Sequence, residues 1–386
     1  MKFLYSMMQK TLTDRKNRDA LRRLYRFPEA HALKFQDRGK VIINFSSNNY
    51  LGLAQDTAPA VAAKKAIDQY GCSAAASRLI SGDLGLNRQL EEKIAALYAK
   101  EAALIFPTGY MANIGLLTAL AGKKDLILSD KLNHASIVDG IRMSGASFRR
   151  YPHNDIEALV KLIARHKGEN PPIVITDTIF SMDGDRARLK EITSLCSETG
   201  AFLVIDEAHA NGVLGPGGLG LAEELGVLKK IDLLMGTFSK ALGGLGGFVT
   251  GNKTVIDYLI NCARSFIFTT GLPPAVLAAA LEALNISTRQ PERRQRLLER
   301  SAFVRQQLKM QGWNPGSSSS QIIPVITGKN SRALELSAKL LEAGFLVMAI
   351  RPPTVPAGTA RLRLTLSSSH MDEDIERLLK TMERLR

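Results

Sequence analysis

The alternation of short apolar strands with helices across residues 100–250 limits this chain more than any other feature of its sequence. It implies a largely parallel, doubly wound α/β sheet. In such sheets ligands bind beyond the carboxyl ends of the strands, and polar residues stand at those ends here. Phe202-Leu-Val-Ile-Asp206 is an apolar strand that stops at an acid, with His209 three residues on. Leu233-Leu-Met-Gly-Thr237 is a second, followed by Ser239 and Lys240, and the glycine-rich run Gly243–Gly247 leads into a third. An acid, an imidazole, two hydroxyls and a lysine therefore gather where strands end. Such a set can hold a heteroaromatic carbonyl cofactor, or its members can be ordinary strand-end polar residues.

Taken in order, residues 1–26 read as one helix, with Leu12, Leu21 and Leu24 recurring among charges and no glycine or proline before Pro28. Lys40–Phe45 is a strand, and 57–70 a helix closed by Gly71. The small residues of Ser73–Gly82 suit close backbone approach to a neighbouring subunit or a ligand. An amphipathic helix over 84–98 leads to the strand Ala102–Phe106. Thr108, Gly109 and Tyr110 then open a helix whose body is Ile114–Leu120, and a helix N-terminus favours an anion. Strands over 125–130 and 171–177 follow, with His134 at the start of a helix between them, where a histidine is commonly a cap or packing residue. A long helix from about Ala275 breaks near Pro291. After a flexible-looking turn, Gly316–Ser320, strands over 322–326, 346–350 and 361–366 alternate with helices over 331–343 and 372–385. This order predicts a smaller C-terminal α+β domain. The expected division is an N-terminal helical segment over 1–45, a large domain over 46–285 and a small one over 286–386.

The 386 residues suffice for a large core. No apolar run approaches the roughly 20 residues that span a bilayer. Cys72, Cys196 and Cys262 are odd in number and far apart, with no metal-ligand spacing, which suits a reducing cytoplasm and predicts no metal. Net charge is +14, and residues 1–40 supply half of it, with 11 Lys/Arg against 4 Asp/Glu. Asp14 and Asp19 interrupt that basic run, so an exposed helix with a basic face is expected rather than a targeting segment. The charge also permits a nucleic-acid-binding reading, but no nucleic-acid or membrane motif accompanies it.

Two glycine signals fail on context. Gly215-Pro-Gly217-Gly-Leu-Gly220 matches the dinucleotide pattern, but no strand directly precedes it and no strand-end acid follows at the required distance. Gly243–Gly247 comes after Lys240, the reverse of a phosphate-binding loop with its lysine. The strand-end set remains. Pyridoxal 5'-phosphate requires a lysine for its aldehyde, an acid for its ring nitrogen, a donor for its phenolic oxygen and a helix N-terminus for its phosphate. Lys240, Asp206, His209 and Thr108-Gly109-Tyr110 offer each of these once.

The motifs Asp206-Glu-Ala-His209, Thr237-Phe-Ser-Lys240-Ala-Leu-Gly-Gly and Phe180-Ser-Met-Asp-Gly-Asp185 closely resemble those of the α-oxoamine synthases, and the resemblance runs from Asn44 into the C-terminal region. It implies a fold-type I pyridoxal-phosphate transferase that condenses an amino acid with an acyl thioester and releases carbon dioxide. Ile350-Arg-Pro-Pro-Thr354-Val-Pro-Ala-Gly-Thr-Ala-Arg361-Leu-Arg363 is most like the biotin-pathway members, which join L-alanine to a pimeloyl thioester of CoA or acyl carrier protein. By this resemblance Lys240 carries the cofactor and moves the α-proton, Asp206 pairs with the pyridine nitrogen, and His134 stacks on the ring, so that its cap reading gives way. His209 and Ser181 address the phenolic oxygen. Gly109, Tyr110, Thr237 and Ser239 border the phosphate, and Thr269 or Thr270 reaches that of the partner in a homodimer. Arg363 holds the amino-acid carboxylate, and Arg22 and Thr354 contact substrate. Ala210, Asn211, Ala74-Ala75-Ala76 and Ser239 depart from the usual pattern. They leave open sibling reactions that use glycine or serine, of the 2-amino-3-ketobutyrate CoA ligase, 5-aminolevulinate synthase or serine palmitoyltransferase type.

Overall fold

The computed structural model describes residues 2–25, 33–37 and 39–386. They form two compact units, one of Met1–Ser47, Met182–Gly184 and Leu298–Arg386, the other of Asn48–Ser181 and Asp185–Leu297.

The first helix is shorter than its leucine spacing predicts. It spans Lys2–Asn17, which leaves Leu21 and Leu24 outside it, while Arg26 and Pro28 lie outside the described residues. Its end has a physical cause. Asp19 takes a left-handed φ of 52°, and Ala20 N donates back to Arg15 O (2.8 Å) while Asp19 N donates to Lys16 O (3.1 Å). Aspartate tolerates that conformation, and the paired bonds satisfy carbonyls that the helix would otherwise leave open. β1 (Lys34–Asp37) and β2 (Lys40–Asn44) follow as an antiparallel pair.

The larger unit is built on seven strands: β3 (Ala102–Phe106), β4 (Leu126–Asp130), β5 (Ser147–Tyr151), β6 (Ile173–Asp177), β7 (Phe202–Asp206), β8 (Leu233–Thr237) and β9 (Gly247–Gly251). Their order is β3-β9-β8-β7-β6-β4-β5, parallel except for β9, which runs against both its neighbours. One face packs Leu104, Phe106, Ile175, Val204, Met235 and Val249 against Leu116, Leu117, Ile137 and Ile141 of two helices and Ile256 and Leu259 of a third. The alternating residues Val174, Leu203, Ile205 and Leu234 are equally buried, as a sheet covered on both faces requires. Each such side chain stabilises the fold by about 1.5–3 kcal/mol. β5 has no counterpart among the expected strands. It is an edge strand paired only with β4, and its Arg149 and Arg150 are exposed, so it lacks the apolar run of the central strands.

Register aligns the strand ends. Asp177 of β6 lies opposite Asp206 of β7, and Thr237 of β8 opposite Gly247 of β9, which also pairs with Phe106 of β3. A Cβ on Gly247 would stand 2.7 Å from Gly109 Cα. Only glycine there lets the helix that follows β3 begin against the sheet edge.

In the smaller unit, β10 (Ile322–Gly328), β13 (Ala360–Thr365) and β12 (Met348–Ile350) form one antiparallel sheet, and β11 (Phe345–Leu346) adds in parallel to β2. The strand expected over 346–350 is thus divided between two sheets at Val347. Side chains take the freed backbone groups: Ser46 Oγ accepts from Met348 N (2.9 Å), and Ser337 Oγ donates to Val347 O (2.6 Å). The serine turn is tied down rather than flexible. Ser320 is fully buried and donates to Gly184 O (2.7 Å), and Ser318 donates to Ile322 O (2.6 Å). The long helix breaks as Pro291 dictates, into Pro274–Arg289 and Glu292–Met310.

Candidate active site

A cavity of about 170 Å³ opens at the carboxyl edge of the larger unit's sheet, lined by Gly109, Tyr110, Asn113, His134, Ser136, Asp177, Asp206, Ala208, His209, Met235, Thr237, Ser239 and Lys240. Eight residues singled out from the sequence therefore meet: Gly109, Tyr110, His134, Asp206, His209, Thr237, Ser239 and Lys240.

Each is held by its own local structure. Asp206 ends β7, buried, and accepts from Ala208 N at Oδ1 (2.8 Å) and from Asn113 Nδ2 at Oδ2 (2.9 Å). Asn113 also donates to Ser136 Oγ (2.9 Å). His134 caps the helix Ala135–Ser144, its Nδ1 accepting from Ser136 N (3.3 Å) with Ser136 Oγ at 2.8 Å. The cap reading holds, and the capping residue also lines the cavity: the cap fixes the ring and, with Nδ1 an acceptor, puts the neutral proton on Nε2. Burial pulls the His134 imidazole below its ordinary value, and Asp206 nearby opposes this. His209 Nδ1 lies 2.8 Å from Tyr50 Oη, which also reaches Asn48 Oδ1 (3.0 Å).

The opposite wall is the start of the helix Gly109–Leu120. Thr108 Oγ1 accepts from Met111 N (3.1 Å), and Gly109 and Tyr110, whose N–H groups open the helix without an intrahelical partner, line the cavity. Thr237 Oγ1 donates to Gly246 O (2.7 Å), and Ser239 Oγ to the same carbonyl (3.2 Å), so both hydroxyls also fasten the turn that carries Lys240. Asn211, a departure from the usual motif, brackets Thr237: its Nδ2 donates to Thr237 O (3.0 Å) and its Oδ1 accepts from Thr237 N (3.2 Å).

Asn113, Ser136, Asp177, Tyr50 and Met235 were not singled out from the sequence as site residues. Asp177 is the most consequential. It is buried and accepts from His134 N (2.8 Å); burial, then the charge of Asp206, push its carboxyl well above the ordinary range. The strand-end rule that selects Asp206 applies equally to Asp177, but the pairing of the two strands is needed to bring them side by side.

Other expected residues stand elsewhere. Ser181 lies on the loop beyond β6 and outside the cavity lining, while Thr269 and Thr270 border a separate narrow space with Arg78, Asn87 and Phe266. In the smaller unit, Arg22 donates to Thr354 Oγ1 (2.8 Å), and Arg363 is buried on β13. The glycine loop 215–220 has no vacancy for a pyrophosphate. Glu223 accepts from Gly217 N and Leu219 N, and the buried Glu207 from Leu221 N and Ala222 N, so the chain's own carboxylates take the anion's place. Among the described residues no cluster of His, Cys, Asp and Glu could hold a metal.

A lysine, an acid, an imidazole and a helix N-terminus around one sheet-edge cavity define a fold-type I transferase. The chain matches the model of the family described as aminotransferase class I and II over residues 40–382. It belongs to that family, and within it to the α-oxoamine synthases. It is 48% identical to the 8-amino-7-oxononanoate synthase of Geobacter sulfurreducens over 349 residues, 90% of this chain and 89% of that protein. A structure of SPT with PLP superposes with a TM-score of 0.91 at 31% identity, covering 99% of this chain and 95% of that one. An 8-amino-7-oxononanoate synthase from Francisella tularensis superposes at 0.77 and 30% identity, covering 89% and 97%. No helix among the described residues is long and apolar enough to cross a membrane.

Proposed function

We propose that this chain condenses L-alanine with a pimeloyl thioester, releasing carbon dioxide and the free thiol, to give 8-amino-7-oxononanoate in biotin biosynthesis. The observation that carries this reading is the 48% identity, over nine-tenths of the chain, to a protein of that activity. Serine palmitoyltransferase-type chemistry, the second reading, is not favoured, since it rests on structural likeness at 31% identity against 48% for the first.

The cavity fits pyridoxal 5'-phosphate by its donor set. It offers an acid fixed by two donors, an amine, an imidazole with a set tautomer, and two helix N-terminal N–H groups. Bound there, the cofactor supplies an electron sink for the α-carbon of alanine. Asp206 keeps a proton on the ring nitrogen, because a buried carboxylate favours the cationic ring. His209 and Ser181 address the phenolic oxygen, and His134 covers the ring face. Gly109 and Tyr110 N–H with the Thr237 and Ser239 hydroxyls hold the phosphate, and Thr269 or Thr270 serves the phosphate of the partner in a homodimer. Lys240 anchors the cofactor, then takes the α-proton of alanine at Nζ and returns it to the product carbon. Loss of that proton turns the α-carbon into a nucleophile; it attacks the thioester carbonyl, the thiol leaves, and the resulting β-keto acid readily gives up carbon dioxide.

Arg363 takes the alanine carboxylate in its planar fork, and Arg22 and Thr354 contact the acyl substrate. In this reading residues 46–285 bind the cofactor, 1–45 and 286–386 contribute the substrate-facing groups, and the enzyme works in the cytoplasm with CoA or acyl carrier protein as thiol.

Thiol release measured with alanine, glycine and serine, each against several acyl thioesters, tests the substrate pair. Alanine with the pimeloyl thioester is expected to be fastest; a clear preference for serine with a long-chain thioester would replace this reading by the second. Lys240→Ala is expected to lose all turnover and the yellow absorbance of lysine-bound cofactor. Normal turnover by that variant would end the assignment of Lys240.

A further inference from the structure

A second cluster of titratable groups, two buried aspartates around a part-exposed histidine, lies outside the cavity but in the same unit. His153 sits between two carboxylates, with Nδ1 3.1 Å from Asp130 Oδ1 and Nε2 2.7 Å from Asp185 Oδ2. A ring nitrogen must carry a proton to bond a carboxylate oxygen, so contact at both nitrogens is the arrangement of an imidazolium between two anions. Asp130 ends β4 and is itself fixed, accepting from Leu132 N (2.8 Å) and Asn154 N (2.9 Å). Asp185 stands on the returning limb of the loop that leaves β6. Phe180 N donates to Asp185 O (3.1 Å), and Ile179 pairs with Arg186 in an isolated antiparallel bridge.

Little else holds the Asp185 side chain. Among the described residues, its Oδ1 is buried without a hydrogen-bond partner, and Oδ2 has, besides His153, only Asn154 Nδ2 at 3.5 Å. The His153 ring also meets Phe180 edge-on, with centroids 4.3 Å apart. The neighbouring Asn154, at a left-handed φ of 56°, donates to Arg186 O (3.0 Å) and accepts from Arg188 N (3.2 Å). One residue pair thus grips both limbs of the loop, and Ser181 is the next residue after Phe180.

We propose that His153 is a positioning residue for the condensation: bridging Asp130 and Asp185, it fixes the 179–185 loop and thereby holds Ser181 where the cofactor needs it. This rests on the reading above that Ser181 bonds the cofactor.

The test titrates pyridoxal 5'-phosphate into the apoprotein by absorbance and follows the fold by circular dichroism. His153→Gln is expected to weaken cofactor binding about tenfold, the loss of a charge-assisted bond. Asp185→Asn, which keeps the side chain's shape, is expected to do the same and stands in if the first variant does not fold. In a Ser181→Ala background, His153→Gln should weaken binding no further, since its effect passes through Ser181. Cofactor affinity unchanged in folded His153→Gln and Asp185→Asn, with Ser181→Ala impaired, would overturn the positioning role alone. So would an effect of His153→Gln that adds in full to that of Ser181→Ala. If Ser181→Ala and Lys240→Ala both bind the cofactor as the wild type does, the underlying functional reading fails, and this inference with it.

Discussion

Asp177 and Asp206 end neighbouring parallel strands in register, so two carboxyl groups share one buried edge. Asp177 is pushed well above the ordinary 3.8, first by burial and then by Asp206. In the unfolded chain it ionises at the ordinary value, so the folded state binds its proton more tightly. Above that value the unfolded state is the one favoured by proton release, and stability falls as pH rises. Asp177→Asn removes the ionisation yet keeps an acceptor for His134 N. The variant apoprotein is therefore expected to melt at or above the wild-type temperature at pH 7, with the difference closing as pH falls toward 4. A variant that melts several degrees lower at pH 7, with the deficit shrinking only as pH falls below the ordinary 3.8, would mean that Asp177 is held ionised instead. The contrast between the two acids also shows what the sequence reveals at this scale. Asp206 stands three residues from a histidine and joins a lysine and a helix start in one chemical set, so it is legible. Asp177 has no such neighbours in the chain, and only strand pairing brings it to the site.

Elements were legible where apolar runs and turn chemistry agree. β3, β6 and β7, the helix closed by Gly71 and the break at Pro291 all fall where the residues imply. Elements were missed where tertiary bonding decides. The arginine-rich β5 is a strand because β4 offers an open edge, and the 346–350 run splits because Ser46 and Ser337 satisfy its backbone. The loop over 207–224 belongs to this second kind, since its glycine pattern conceals a fold around two glutamates. Glu207 accepts from Thr178 Oγ1 (2.5 Å), Leu221 N (3.1 Å) and Ala222 N (2.9 Å), and burial raises it from 4.5 to about 7. The folded state holds that proton more tightly than the unfolded chain, so Glu207 makes stability fall between pH 4.5 and about 7 and level off above. Glu207→Gln should flatten that part of the pH–stability curve relative to wild type, by no more than roughly 3 kcal/mol across the window. Denaturant unfolding of both proteins from pH 4 to 8 checks this, and parallel curves would refute the assignment.

On the scale of the whole molecule, charge is the property that the fold does not explain. Half of the net +14 lies in residues 1–40. Among the described residues of that stretch, Arg22 and Arg23 line a space of about 350 Å³ together with Leu24, Met348, Ile350, Arg351 and Thr354. The Arg351 guanidinium is pulled below its ordinary value, first by burial and then by Arg22 beside it, with Asp19 opposing. Guanidinium groups held this close repel one another and gain from a bound anion. The apolar side chains among them suit an acyl chain, and both carriers considered for the thioester, CoA with its phosphates and an acidic acyl carrier protein, are anionic. Attraction of this kind acts mainly on encounter and is weakened by salt. Arg23→Glu and Arg22→Glu are each expected to raise KM for the thioester several-fold. Arg23→Glu should leave kcat near the wild-type value, because Arg23 is given no part in the chemistry. Arg22→Glu also removes the bond to Thr354 Oγ1, so its effect should exceed that of Arg23→Glu and persist in part at high salt. Wild-type KM for the thioester should rise as salt is raised from about 0.05 to 0.5 M, while KM for alanine moves little. A thioester KM indifferent to both charge reversals and to salt would show that the basic segment faces something other than the carrier.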